Sequence, residues 1–152
     1  MQVVGCNTSL TGTLPANPYY LGIVGSRTIP INNARSHIEA FIHFHPRHGN
    51  LVIVSGGAKG IDSLAVDAAF ELGLPFLIFH PIWSQGPVAG VIRNSYLIKQ
   101  CDELLAIWDG ASKGTRDSIT KAIKKRIPVT IYSSHPLPEV FGNPGPEVPA
   151  LD

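Results

Sequence analysis

The stretch that most restricts what this chain can become is Leu51 to Gly73, LVIVSGGAKGIDSLAVDAAFELG. It opens on four apolar residues, three of them β-branched, which suit a strand buried on both faces. The abrupt change to Ser55-Gly56-Gly57-Ala58-Lys59-Gly60 marks a tight turn, and Ile61, Leu64, Ala65, Ala68 and Leu72 then recur at helical spacing. Strand, glycine turn and helix are an anion site in outline. A helix N-terminus offers unpaired backbone N–H groups and partial positive charge, and glycines let a phosphate reach the main chain without meeting a Cβ.

The same alternation runs through the middle of the chain. Apolar runs at Tyr19 to Val24, Pro75 to His80, Glu103 to Trp108 and Pro128 to Tyr132 read as further strands. Pro30 with Asn32 or Asn33 supplies a helix start, and the segment to Pro46, Ala89 to Cys101, and Thr115 to Arg126 read as the other helices. Five short strands separated by four helix-length connectors predict an α/β fold: a Rossmann-like three-layer sandwich with a mainly parallel five-stranded sheet. The expected division is a leader over residues 1–18, one domain over 19–132 and a proline-rich tail over 133–152. That tail, with five prolines and two glycines in twenty residues, breaks the alternation. Val140 and Phe141 are its obvious anchors.

At 152 residues and 44% hydrophobic, the chain is long enough for one well-buried core. A net charge of +1 gives no global field toward nucleic acid or an anionic membrane, so any nucleic-acid contact must be local. Cys6 and Cys101 make neither a disulfide framework nor a metal pair. No apolar run approaches the roughly 20 residues that span a bilayer, so the expectation is a soluble, cytoplasmic protein without a membrane partner.

Ligands of open parallel sheets sit beyond the carboxyl ends of the strands. Those ends here are Gly25-Ser26-Arg27, Ser55-Gly56-Gly57, the loop after His80, and Asp109 to Thr115 (DGASKGT). Two familiar phosphate motifs are excluded on the letters. A dinucleotide fingerprint would need glycine at Ser55 and an acid near His80, and a nucleotide-triphosphate loop would need Gly-Lys-Ser/Thr where the chain has Lys59-Gly60-Ile61.

GIVGSR (Gly22 to Arg27), VSGGAKGID (Val54 to Asp62), the pair Arg93-Asn94 and DGASKGT, in this order, resemble the SLOG superfamily. Within it the chain is similar to the short YspA-like proteins and the Rossmann core of the DNA-processing protein Smf/DprA, and more distantly to the Lonely Guy phosphoribohydrolases. The resemblance covers about Tyr19 to Tyr132. It implies a nucleotide-like small molecule, a nucleotide derivative or single-stranded nucleic acid as partner, without naming a cofactor. By motif match, Gly25, Ser26 and Arg27 line one wall. Ser55, Gly56, Gly57 and Gly60 form the cradle with Asp62 beside it; Arg93 and Asn94 come from the third helix; Gly110, Ser112, Gly114 and Thr115 close the far side.

Catalysis has less support. Lonely Guy enzymes carry a glutamate where this chain has Ser118, and Asp117 lies one residue early, about 100° around the helix. Asp62 or Asp109 would have to substitute, so the expectation is binding without chemistry, with N-glycosidic hydrolysis of a nucleotide as the alternative. Trp83 and Trp108 are read as packing rather than base-stacking residues. His43 to His48 reads as a polar helix end facing water, with no carboxylate joining its histidines, and Lys121, Lys124, Lys125 and Arg126 as a solvated helix end. A second apolar stripe on the central helix, Val66 and Phe70, wants a second neighbour, either inside the domain or in a homo-oligomer.

Overall fold

The buried residues of each central strand alternate between two apolar layers, which fixes the arrangement of the helices. Leu21, Ile23, Leu51, Ile53, Leu105 and Ile107 join one core, while Val24, Val54, Leu104, Ala106, Trp108 and Ile131 join the other. A sheet apolar on both faces needs a helical layer on each. In the computed structural model, which describes residues 5–28 and 31–133, those layers are present. The strands are β1 (Cys6–Thr11), β2 (Tyr19–Gly25), β3 (Leu51–Ser55), β4 (Phe76–Pro81), β5 (Glu103–Trp108) and β6 (Val129–Ser133). The helices are α1 (Ile31–His43), α2 (Ile61–Glu71), α3 (Ala89–Gln100) and α4 (Lys113–Lys125). Ala34, Ile38 and Ile42 of α1, with Ile61, Leu64 and Ala65 of α2, cover the first face. Leu97 and Ile98 of α3, with Ile119 and Ala122 of α4, cover the second.

The sheet order is β1-β4-β3-β2-β5-β6, and the five strands from β2 to β6 are mutually parallel. This is the expected Rossmann-like sandwich with one strand more. The extra strand, β1, lies in the segment expected to be a leader and pairs antiparallel with β4, from Cys6 opposite Pro81 to Thr11 opposite Phe76. Its sequence CNTSLT is mostly exposed, as an edge strand that blunts further pairing should be.

Two other expectations change. Val66 packs against the core inside the domain, so Phe70, 73% exposed, alone remains of the second stripe on α2. His45 is not on a water-facing end: its side chain is 6% exposed, and its Nε2 lies 2.9 Å from Glu103 Oε1, which also accepts from the Tyr19 hydroxyl at 2.9 Å. Among the described residues no cluster of three His, Cys, Asp or Glu can hold a metal, and no helix is long and apolar enough to cross a membrane. Pro30 and the tail anchors Val140 and Phe141 lie outside the described residues.

Candidate functional site

The chain reverses direction across the sheet at one place. From β2 it turns to α1 on one face, and from β5 to α4 on the other, although β2 and β5 are neighbours. Their carboxyl ends therefore diverge and leave a crevice. Ser26 holds the two ends together: its N–H donates to Ile107 O at 2.9 Å, and its hydroxyl accepts from Asp109 N–H at 3.0 Å. Beyond this tie lies a cleft of about 500 Å³.

Of the residues expected to form the site, Gly25, Arg27, Gly56, Asp62, Arg93, Asn94, Ser112, Gly114 and Thr115 line this cleft. Ser26, Ser55, Gly57, Gly60 and Gly110 do not. Ser26 and Ser55 are buried and act as fasteners: the Ser55 hydroxyl donates to Asp62 O at 3.0 Å and accepts from Gly57 N–H at 3.2 Å, closing the turn between β3 and α2. Gly60 caps α2 at φ 81°, where a Cβ would lie 3.1 Å from Arg27 Cα. Only glycine lets the α2 N-terminus come this close to the loop after β2. Gly57 faces a neighbouring cleft, and Gly110 shapes the turn after Asp109.

Arg93 is no free surface cation. Its Nη1 donates to Gly56 O at 2.6 Å and to Phe79 O at 3.4 Å, and its Nε to Asn94 Oδ1 at 2.9 Å. Asn94 in turn donates to Gly114 O at 3.3 Å and Asp117 Oδ2 at 3.1 Å, so α3 and α4 are fixed together at the cleft wall. Gly56 lies against both Arg93 and Asp62: a Cβ there would approach Arg93 Nη1 to 2.5 Å and Asp62 Oδ2 to 2.8 Å, so a larger residue displaces these side chains. Asp62 is buried and accepts from Ala58 N–H at 3.2 Å. Burial pushes its carboxyl up to about 6, against the lowering effect of that N–H and of Arg93 and Arg27. Burial likewise lowers the Arg93 guanidinium, opposed by the Asp62 charge.

The far wall is built on Asp109. Its Oδ1 accepts the N–H groups of Ala111 at 2.8 Å and Ser112 at 2.7 Å, and its Oδ2 accepts the Thr28 hydroxyl at 2.7 Å. Burial opposes its ionisation, but these bonds outweigh burial and hold it down at about 2. Asp109 and Ala111, from a strand end expected at the ligand rim, also line the cleft, as do Thr28, Ala58, Val24, Leu97 and Ser118, which the motif match did not assign to it. Asp109 was legible as the first residue of an Asx turn, whereas nothing in the sequence marks Thr28 or Leu97. Trp108 is core, as expected, with its indole N–H donating to Ser112 O at 3.0 Å. Trp83 is not packed: it is 65% exposed.

The helix termini complete the geometry. Neither Gly60 at the start of α2 nor Ser112 at the start of α4 gives a side-chain cap, and both termini border the cleft. First-turn N–H groups left uncapped, together with arginines, suit an anion. Of the basic residues at the end of α4, Lys124 and Arg126 are exposed, as expected of a solvated end, and the other two serve another purpose. Lys125 Nζ donates to the carbonyls of Ile98, Lys99 and Cys101 at 3.0, 2.7 and 2.7 Å, and Lys121 Nζ to Val91 O and Asp117, so both brace α3 instead of forming a solvated end.

Fold and cleft together define a Rossmann-like α/β domain with its cleft at the point where the sheet reverses direction. A model of the DNA recombination-mediator protein A family matches residues 9–79, a little under half of the chain and inclusive of the whole β3, glycine-turn and α2 unit. No curated protein sequence matches. Among solved structures, DNA processing protein A of Helicobacter pylori superposes with a TM-score of 0.62 at 22% identity, covering 82% of this chain and 71% of that one. DprA of Streptococcus pneumoniae gives 0.63 at 20% identity, over 86% of this chain and 58% of that one. The molybdenum cofactor binding protein of Rippkaea orientalis gives 0.58 at 17% identity, over 80% of each. At these identities the structural likeness is one of fold.

Proposed function

We propose that the cleft binds a nucleotide or another phosphate-containing nucleotide derivative, and that the domain acts by binding and not by catalysis. One observation carries this reading: two helix N-termini without side-chain caps and two arginines converge where the sheet reverses direction. The preference for binding over glycosidic chemistry is supported by Ser118, which stands where the Lonely Guy motif carries its glutamate, and by Asp109, whose two oxygens are both engaged in fastening the far wall. Mass spectrometry of whatever co-purifies with the full chain, followed by melting in the presence of a nucleotide panel, tests the proposal. We expect a phosphate-bearing nucleotide species and a raised melting temperature. A protein that carries none and is stabilised by none contradicts it.

A second reading is favoured by the family match. The H. pylori protein binds single-stranded DNA. In the present chain Arg27 and Lys59 stand exposed on the same rim with no carboxylate partner among the described residues. On this reading a single strand supplies the phosphate, and affinity falls steeply with salt and on substitution of Lys59. A gel shift absent at low salt removes it.

A further inference from the structure

Next to the cleft just described lies a second one, of about 490 Å³, with no role so far. The two share Arg27, Gly56, Ala58 and Arg93, so the arginines stand on the wall between them. Its outer side is formed by Lys59, His80 and Trp83. Trp83 opens the short 3-10 turn Trp83–Val88 that follows β4, and 65% of it is exposed. Among the described residues its ring has no aromatic or cationic partner, and its indole N–H makes no hydrogen bond. His80 beside it is oriented by a 2.9 Å bond to Ser9 Oγ of β1.

An indole left in water at the mouth of a polar, cationic groove has not been placed by packing. A flat face beside the positive charge of Arg27, Lys59 and Arg93 complements a flat ring that carries an anionic linker. We propose that the second cleft is a nucleobase subsite: Trp83 stacks a base that is joined to the phosphate held at the Arg27 and Arg93 wall. The inference rests on the phosphate reading above and deepens it. A ligand that fills both clefts has a phosphodiester or pyrophosphate bridging two units, whether it comes as a small dinucleotide or as two consecutive nucleotides of a single strand.

The test is calorimetric titration of the full chain and its Trp83→Ala, Trp83→Phe and Arg93→Ala variants with ribose 5-phosphate, AMP, adenylyl-adenosine and a short oligothymidylate. Trp83→Ala should weaken the base-bearing probes that reach the subsite by about tenfold or more. It should leave ribose 5-phosphate within about twofold, and Trp83→Phe should retain most of the affinity. Ring stacking should also quench the fluorescence of the exposed indole in the wild type, a change missing from Trp83→Phe because Trp108 is buried. An effect on adenylyl-adenosine points to a small dinucleotide, and one confined to oligothymidylate to a strand; both support the subsite. Affinities for every base-bearing probe that ignore Trp83, or equal loss for ribose 5-phosphate, overturn it. If ribose 5-phosphate binds and is lost in Arg93→Ala while Trp83 is silent, the subsite alone falls. If no probe binds the wild type, the phosphate reading falls with it.

Discussion

Asp62 shows how a single residue ties the stability of the fold to the chemistry of the cleft. Its carboxyl is buried between the α2 N-terminus and Arg93, and burial raises it from 3.8 to about 6. A raised acid binds its proton more tightly in the folded state than in the unfolded one. The stability gained from that proton is complete below about pH 4 and is lost as pH rises through about 6, so at neutral pH the ionised group opposes folding by on the order of 2–3 kcal/mol. Asp62→Asn keeps an acceptor for Ala58 N–H and removes the charge. We expect it to raise the melting temperature at pH 7 to 8, with the gain shrinking toward zero near pH 4. Melting curves across that range check this, and a pH-independent difference or a loss at pH 7 contradicts it. The cost is intelligible if the cleft is built for an anion that rests on Arg27 and Arg93 and allows Asp62 to take up a proton.

At the scale of elements, helix α3 carries the wall shared by the two clefts, and its C-terminus is secured by α4. Three carbonyls at the end of α3 converge on Lys125 Nζ, where a cation is favoured by the helix dipole and by charged hydrogen bonds. Lys125→Met keeps the aliphatic stem and removes the charge. Because Lys125 is exposed, the loss should be about 1 kcal/mol, read as a lower denaturant midpoint with unchanged slope. An unchanged midpoint would show that water replaces the ammonium without cost. This role was not legible from the cluster of basic residues, since it depends on contacts across 24 to 27 positions of sequence. The same distance hides the His45 and Glu103 pair, 58 positions apart. Strand β1 is hidden in the sequence for a different reason. An exposed edge strand has no buried face to impose an alternating pattern, so CNTSLT reads as a polar leader until β4 is seen to need a partner.

For the whole molecule, the order of apolar runs and glycine turns sufficed to predict the three-layer architecture and the rim that carries the site. Parallel strands buried on both faces are continuous in sequence, and their carboxyl ends are where small residues collect. Sequence could not separate residues facing the ligand from those that fasten the turns: Ser26, Ser55 and Gly60 are as well marked as Gly56 or Ser112, yet they close the structure behind the cleft. Self-association, argued from Val66 and Phe70, now rests on Phe70 alone, since Val66 is covered within the domain. The central claim is a place as much as a partner, and mapping backbone amide shifts during titration of the full chain with AMP and adenylyl-adenosine tests it most directly. The account predicts saturable changes centred on Gly25 to Thr28, Gly56 to Asp62, Arg93 to Asn94 and Asp109 to Thr115, abolished when Arg27→Ala and Arg93→Ala are combined in a variant that still folds. Changes centred elsewhere on the molecule, or binding undiminished by the double substitution, would contradict it.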